Sequence, residues 1–156
     1  MLVEPKQNRV QTAGAPAAIG PYSQAIVANG MVFCTGQVAI DPATDRLVEG
    51  GIGAQTHRVM RNLGAVLEAA GSNLAHVVMT TVYLAHFSDF PEMNEVYEEY
   101  FGDAEPARST IEGGLPTGML VQIDCIAVVP GPAQTIRVVE ARESVSTFDL
   151  DFDSDF

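Results

Sequence analysis

One long amphipathic segment limits the folds that this chain can adopt. Between residues 52 and 70 the apolar positions recur at intervals of three and four, at Ile52, Val59, Met60, Leu63, Val66, Leu67 and Ala70. That spacing predicts an α-helix with one buried face. Gly71 is typical of the position just after a helix, where a left-handed backbone is needed. A shorter helix is predicted from about Pro91 to Phe101, because proline suits a first helical turn.

Apolar and β-branched runs on either side of these helices predict the sheet that the helices cover. The predicted strands span residues 22–28, 31–40, 76–84, 108–112 and 119–129. The pair Asn29-Gly30 predicts a tight hairpin turn between the first two strands. The second strand is nearly continuous in apolar residues, which favours a strand covered on both faces, and Asp41-Pro42 predicts a turn at its end.

The order β-β-α-β-α-β-β predicts an α+β domain, in which one mixed sheet carries two helices on one face. The second face of such a sheet also needs a cover, and we expect it to come from further copies of the chain in a closed oligomer. The chain has no apolar run of 18 residues or more and no apolar signal segment at its start. A cytoplasmic protein is therefore expected.

The composition changes after Pro130-Gly131-Pro132, so we assign residues 1–132 to the main domain. Residues 133–142 predict a possible added edge strand. In residues 143–156, phenylalanine and leucine alternate with aspartate, and no lysine or arginine occurs. Such alternation is typical of a disordered tail. The alternative is a docking peptide for a protein partner that the sequence does not identify.

The charge balance excludes several classes of partner. The 156 residues contain 8 Lys and Arg against 20 Asp and Glu, a formal net charge of -12. Nucleic acids and anionic membranes are bound by clustered cations, so neither is expected here. Cys34 and Cys125 lie within apolar runs, which predicts buried free thiols rather than a disulfide or a metal site.

Arg108 is the residue that most needs an explanation, because it stands at the head of an otherwise apolar strand and keeps its charge when buried. It can pair with an internal carboxylate, or it can grip the carboxylate of a ligand through two hydrogen bonds. Asp124 is a candidate internal partner, and it shares a face of its strand with Gln122. The residues alone leave both explanations open.

Several segments resemble the reactive-intermediate deaminase (Rid, or YjgF) family. They are APAAIGPYSQAI (15–26), CTGQVAIDPATD (34–45), AAGSNLAHVVMTTVYL (69–84), FPEMNEVYEEYF (90–101), and PARSTIEGGLP followed by VQIDCIAVVP. The resemblance covers roughly residues 13–130. It implies a chorismate-mutase-like subunit and a homotrimer whose sheets form an inner β-barrel. It also implies three ligand clefts between neighbouring subunits.

The resemblance further implies an activity, the hydrolysis of imines or enamines such as 2-aminoacrylate to a 2-keto acid and ammonia. No cofactor and no metal is implied. Arg108 would hold the carboxylate of this small-molecule substrate, and Thr110 stands where many relatives carry a cysteine. The substrate-binding positions implied by the family pattern are Tyr22, Thr35, the backbone of Gly36, Asn94 and Arg108.

Gln122 departs from the family pattern, which places a water-activating glutamate at this position. A glutamine can orient a water molecule but cannot take its proton. Losing a general base commonly costs on the order of 10² to 10⁴ in rate. The candidate catalytic residues are thus Arg108, Gln122 and Thr110, with Asp124 on the same face as a possible substitute base.

Three readings remain open alongside the small-substrate deaminase. One is a non-enzymatic protein that binds 2-keto acids or other small carboxylates. Another is a specialised catabolic deaminase for a larger unsaturated amino acid, such as 2-aminomuconate. Endoribonuclease activity is also attached to the family, but the net charge of -12 and the single lysine disfavour an RNA substrate.

Overall fold

The computed structural model describes residues 8–131, so the predicted edge strand at 133–142 and the acidic tail at 143–156 lie outside the described residues. The described part contains eight strands and two α-helices. In chain order they are β1 (Asn8–Val10), β2 (Ala25–Ala28), β3 (Met31–Gln37), β4 (Ile40–Asp41), β5 (Arg46–Leu47), α1 (Ile52–Ala69), β6 (Val77–Leu84), α2 (Phe90–Phe101), β7 (Ala107–Glu112) and β8 (Val121–Val128).

Six of these strands form one mixed sheet in the order β1-β2-β3-β8-β6-β7. The pair β6–β7 is parallel because α2 carries the chain from one strand to the next, and the other pairs are antiparallel. Strands β4 and β5 form a separate small hairpin. The predicted α+β class, with one mixed sheet and two helices, is confirmed.

The core lies between the sheet and the two helices. The apolar stripe of α1, which includes Val59, Leu63 and Val66, is fully buried, and alternate residues of β8 are buried against the helices. Helix α1 ends where predicted, and Gly71 follows it with the left-handed φ of 80° that its position requires. Within the described residues, no helix is long and apolar enough to cross a membrane.

The face of the sheet opposite the helices is open to solvent in the single chain, and part of it is apolar. Phe33 on β3 is 46% exposed, and Val78, Met79 and Val128 are exposed to a similar degree. The helices cover one face of β3, and the cover of its second face by further copies of the chain stays a prediction. This strand also ends at Gln37 rather than at residue 40, and Ile40 belongs to the separate hairpin of β4 and β5.

The segment between β1 and β2 is anchored by a buried glutamine. The Gln24 side-chain amide donates to the carbonyl oxygens of Thr12, Ala15 and Pro16, and its Oε1 accepts from the Thr12 backbone N–H. These bonds hold the residues before Ala25 in a loop, so β2 starts three residues later than predicted. The predicted hairpin turn is confirmed, with positive φ at Asn29 and Gly30.

The two cysteines pair in register across β3 and β8, and both are free and buried, as predicted. The pKa of the Cys34 thiol is raised far above its ordinary value, first by its hydrogen bond with Cys125 and second by burial. The Cys34 thiol is therefore not available as a nucleophile at neutral pH.

Candidate functional site

Arg108 lies on β7, at the edge of the sheet, and its side chain points to the helix-covered face. Its register partner on β6 is Thr80, which is fully buried. Nη1 of Arg108 donates a hydrogen bond of 2.8 Å to Oδ1 of Asn94 on α2. Its guanidinium carbon lies 4.8 Å from the ring centroid of Tyr97 and 5.4 Å from that of Phe90. Both distances suit cation–π attraction.

Three residues of α2 therefore hold the guanidinium, and their spacing explains how. Phe90, Asn94 and Tyr97 are four and three residues apart, so they form one stripe along the helix. The Tyr97 hydroxyl is hydrogen-bonded to Thr80 Oγ1 at 2.7 Å. Burial is the main cause that raises the pKa of Tyr97 above 10.0, so its phenol is neutral beside the arginine. The sequence analysis did not identify the contacts of Phe90 and Tyr97 with Arg108.

Arg108 has no carboxylate partner in residues 8–131. The ion pairs of that region are His57–Glu99 and Arg58–Asp41. The predicted partner Asp124 is wrong, because it pairs in register with Thr81 and so lies on the opposite face of the sheet. A guanidinium carries five N–H donors. Within the described residues, Asn94 accepts the one side-chain hydrogen bond that Arg108 donates.

Arg108 also lines a cavity of about 420 Å³. We call it the arginine cavity. Asn94 and Tyr97 form its helical wall, and Glu98 and Glu105 place two carboxylates in the same lining. Its arrangement combines a half-buried cation with unused donors, which is what a bound carboxylate needs.

A second cavity of about 420 Å³ contains the other predicted binding residues. Tyr22, Thr35, Gly36 and Gln122 all line it, and we call it the glutamine cavity. The Tyr22 hydroxyl accepts a hydrogen bond from the Ile19 backbone N–H at 3.3 Å. The Gln122 side chain lies directly over Gly36, where an added Cβ would come within 2.5 Å of Nε2. Glycine at this position therefore leaves room for the amide.

The structure thus divides the predicted site into two groups. It brings Arg108 together with Asn94, and it brings Tyr22, Thr35 and Gly36 together with Gln122. The two cavities share no residue, and Arg108 and Gln122 lie on opposite faces of the sheet. Thr110 is on the same strand and face as Arg108, opposite Val82, but it lines neither cavity.

Comparison with known proteins identifies the family of the chain. Residues 12–129 match the family described as endoribonuclease L-PSP, which is the YjgF or Rid family. The chain belongs to the Rid family. All of the residues that line the two cavities fall within this matched part.

Two relatives illustrate the range of names within the Rid family. A RutC family protein of Synechocystis is 50% identical over 124 residues, which cover 78% of this chain and 95% of the relative. A human protein named 2-iminobutanoate/2-iminopropanoate deaminase is 40% identical over 127 residues, covering 81% of this chain and 92% of that protein. The relatives support a Rid-type deaminase without defining its substrate.

Solved structures of Rid-family proteins have the same fold. A putative endoribonuclease of Thermotoga maritima superposes with a TM-score of 0.77 at 48% identity, covering 80% of this chain and 98% of the other. Escherichia coli TdcF with bound serine superposes with a TM-score of 0.73 at 32% identity, covering 78% and 98%. The mixed sheet with two helices is therefore the Rid fold.

Proposed function

We propose that this Rid-family protein is a hydrolytic deaminase of small 2-imino or enamine carboxylic acids, such as 2-aminoacrylate, and that it releases a 2-keto acid and ammonia. The observation that carries the proposal is the Arg108 guanidinium, held by Asn94 and lacking a carboxylate partner in the described residues. Relatives named 2-iminobutanoate/2-iminopropanoate deaminase support the reaction class. The serine bound to TdcF is a small ligand of the same kind, with a carboxylate beside a nitrogen.

We further propose that the reaction takes place between copies of the chain in a homotrimer. The arginine cavity of one copy would face the glutamine cavity of its neighbour, since neither cavity alone contains the full set of predicted residues. The open sheet face supports association, because Phe33 and Met79 are half-exposed and lie in one row with Ile126. Burying such a face against other copies is favourable by the hydrophobic effect.

In this arrangement Arg108 would hold the substrate carboxylate and so position C2 of the imine for attack. The carbonyl oxygen of the Gln122 amide would accept a hydrogen bond from a water molecule and aim it at C2. An enamine such as 2-aminoacrylate first takes a proton from solvent at C3 and becomes the 2-iminium acid, which then follows the same steps and releases ammonium. Water adds its oxygen to C2, and the nitrogen keeps the electron pair of the broken C–N bond. The two protons of the water go to that nitrogen, directly or through solvent, so ammonia leaves and the 2-keto acid forms.

Gln122 also favours a second candidate function, a non-enzymatic protein that binds small carboxylates. An amide orients water but takes no proton, so the chain would keep the binding half of the site and lack the base. The family description as an endoribonuclease fits less well. A net charge of -12 with one lysine opposes binding of a phosphate backbone.

A coupled assay tests the reaction. A pyridoxal-phosphate enzyme generates 2-aminoacrylate, and loss of the imine is followed with and without this protein. We expect acceleration by the wild type and none by Arg108→Ala. Binding without acceleration would support the non-enzymatic candidate, and 2-keto acid binding that survives Arg108→Ala would contradict the proposed clamp.

Mixing two inactive variants tests the shared cleft. Arg108→Ala removes the arginine of one cavity, and Gly36→Val displaces Gln122 in the other. If each site needs one cavity from each of two copies, an equal mixture reassembled from subunits regains about a quarter of the wild-type activity by random assortment. A mixture that stays inactive while sizing shows mixed oligomers would contradict the shared cleft.

A further inference from the structure

The arginine cavity contains two carboxylates that the proposed reaction does not use. Glu98 lies on α2 one turn after Asn94, and Glu105 lies three residues before Arg108. Both line the cavity together with Arg108. Neither forms an ion pair with Arg108 at 4.0 Å or less in the described residues. Their charges therefore act on the cavity rather than neutralising the arginine by direct contact.

The backbone of Glu105 is also unusual. Its φ of 37° and ψ of 59° lie in the left-handed region, which glycine and asparagine adopt far more readily than glutamate. Pro106 follows directly and restricts the backbone of Glu105 further. Glycine or asparagine would thus form this turn with less backbone strain than glutamate, so the presence of a carboxylate at this position needs a separate explanation.

Charge balance within the cavity supplies that explanation. A ligand with a carboxylate and no cation is attracted by Arg108 but repelled by Glu98 and Glu105. A ligand with a carboxylate and a protonated nitrogen is complementary to all three groups. We propose, on the basis of the proposed function, that Glu98 and Glu105 make the cavity select zwitterionic 2-iminium and 2-amino acids. Carboxylates whose nitrogen is uncharged, or which have no nitrogen, would bind more weakly.

This selection has consequences for the reaction. The protonated imine is the form that water attacks most readily, and the two carboxylates favour that form in the cavity. Hydrolysis removes the cationic nitrogen, so the 2-keto acid product keeps the carboxylate but loses the group that Glu98 and Glu105 attract. Product would therefore bind more weakly than substrate. A second carboxylate on the substrate, as in 2-aminomuconate, would be disfavoured by the same two charges.

Matched ligands test the proposal on the full-length protein. L-2-aminobutanoate and L-2-hydroxybutanoate have nearly the same shape and differ in the cationic nitrogen. Calorimetric titration at low salt compares the wild type with Glu98→Gln, Glu105→Gln and the double variant. Glu95→Gln is the control, since Glu95 is an exposed residue of α2 that does not line the cavity. Arg108→Ala reports on the clamp itself.

We expect the wild type to bind the amino acid more tightly than the hydroxy acid. Each cavity substitution should reduce that preference by about two- to fivefold, as expected for exposed charges, and Glu95→Gln should leave it unchanged. A preference that the double variant retains in full, or a wild type that favours the hydroxy acid, would overturn the selection while leaving the deaminase proposal standing. If the wild type binds neither ligand and accelerates no imine hydrolysis, both proposals fail together.

Discussion

Asn94 accepts a hydrogen bond of 2.8 Å from Nη1 of Arg108, and the two residues come from different elements, α2 and β7. The contact uses a neutral acceptor where an aspartate would have formed an ion pair. Asn94 therefore orients the guanidinium without cancelling its charge. The rings of Phe90 and Tyr97 add cation–π attraction, which likewise holds the guanidinium without neutralising its charge.

Replacing Asn94 tests this relationship directly. Asn94→Ala removes the orienting bond, and we expect the affinity for small carboxylates to fall by about tenfold, as for loss of a hydrogen bond to a charged group. Asn94→Asp should weaken binding further, because an internal carboxylate then competes with the ligand for Arg108. Calorimetric titration measures both effects. Binding by Asn94→Asp that equals the wild type would show that Arg108 does not bind the ligand carboxylate.

Gln122→Glu should increase the rate of imine hydrolysis by up to about 10²-fold, because a carboxylate at this position can take a proton from water. Gly36 leaves room for the change, since the two side chains are nearly equal in size. Stopped-flow measurement with a 2-imino acid made by an amino-acid oxidase checks the rate, with Gln122→Ala as the matched control. Equal rates for all three proteins would show that Gln122 does not position the attacking water.

The fold follows from local patterns that the sequence displays clearly. The period of α1, the turn at Asn29-Gly30 and the glycine at 71 each depend on a few neighbouring residues, and the structure confirms all three. Strand ends were predicted less well. The start of β2 depends on the Gln24 side chain, whose partners lie up to 12 residues earlier in the chain.

The site was predicted in part, for a physical reason. Alternation shows which residues of one strand share a face, but it does not show which strands become neighbours. Asp124 was therefore paired with Arg108, although β6 separates their strands and the two side chains lie on opposite faces. Phe90 and Tyr97 fit a core stripe equally well, so nothing in their spacing indicated that a cation lies against them.

The hydrogen bond between Tyr97 and Thr80 should contribute to stability rather than to ligand binding. Tyr97→Phe leaves the buried Thr80 hydroxyl without its partner at 2.7 Å, and we expect the free energy of unfolding to fall by about 1–2 kcal/mol. Thr80→Val should cost a similar amount. The double variant should cost less than the sum, because it leaves neither hydroxyl unpaired. Urea unfolding measures the cycle, and strict additivity would contradict direct coupling.

Tyr97 also predicts a loss of stability at alkaline pH. Burial raises its pKa in the folded chain above the ordinary 10.0, so the unfolded chain loses its proton first. Well below pH 10 the phenol keeps its proton in both the folded and the unfolded chain, so stability does not depend on its titration there. The free energy of unfolding should decline as the pH rises through and above 10. Urea unfolding between pH 8 and pH 11 checks the decline. Tyr97→Phe should show a shallower decline than the wild type, whereas identical slopes would exclude Tyr97 as its source.

Asn62 should link the stability of α1 to the shape of the glutamine cavity. Its fully buried amide donates to the carbonyl oxygens of Val38 and Ile40 at 3.0 and 2.9 Å, and both of those residues line the cavity. Asn62→Ala should lower the free energy of unfolding by about 2–4 kcal/mol, because it leaves two carbonyls unpaired and creates a void.

The neighbouring Arg61 provides a matched control for Asn62, since it is exposed on the same helix and Arg61→Ala should change stability by less than about 0.5 kcal/mol. Below its melting temperature, Asn62→Ala should also bind small carboxylates more weakly than the wild type, because residues 38–40 are no longer held against α1. Carboxylate binding unchanged in a folded Asn62→Ala protein would show that the glutamine cavity does not contribute to the ligand site. That result would contradict the shared cleft independently of any measurement on Arg108.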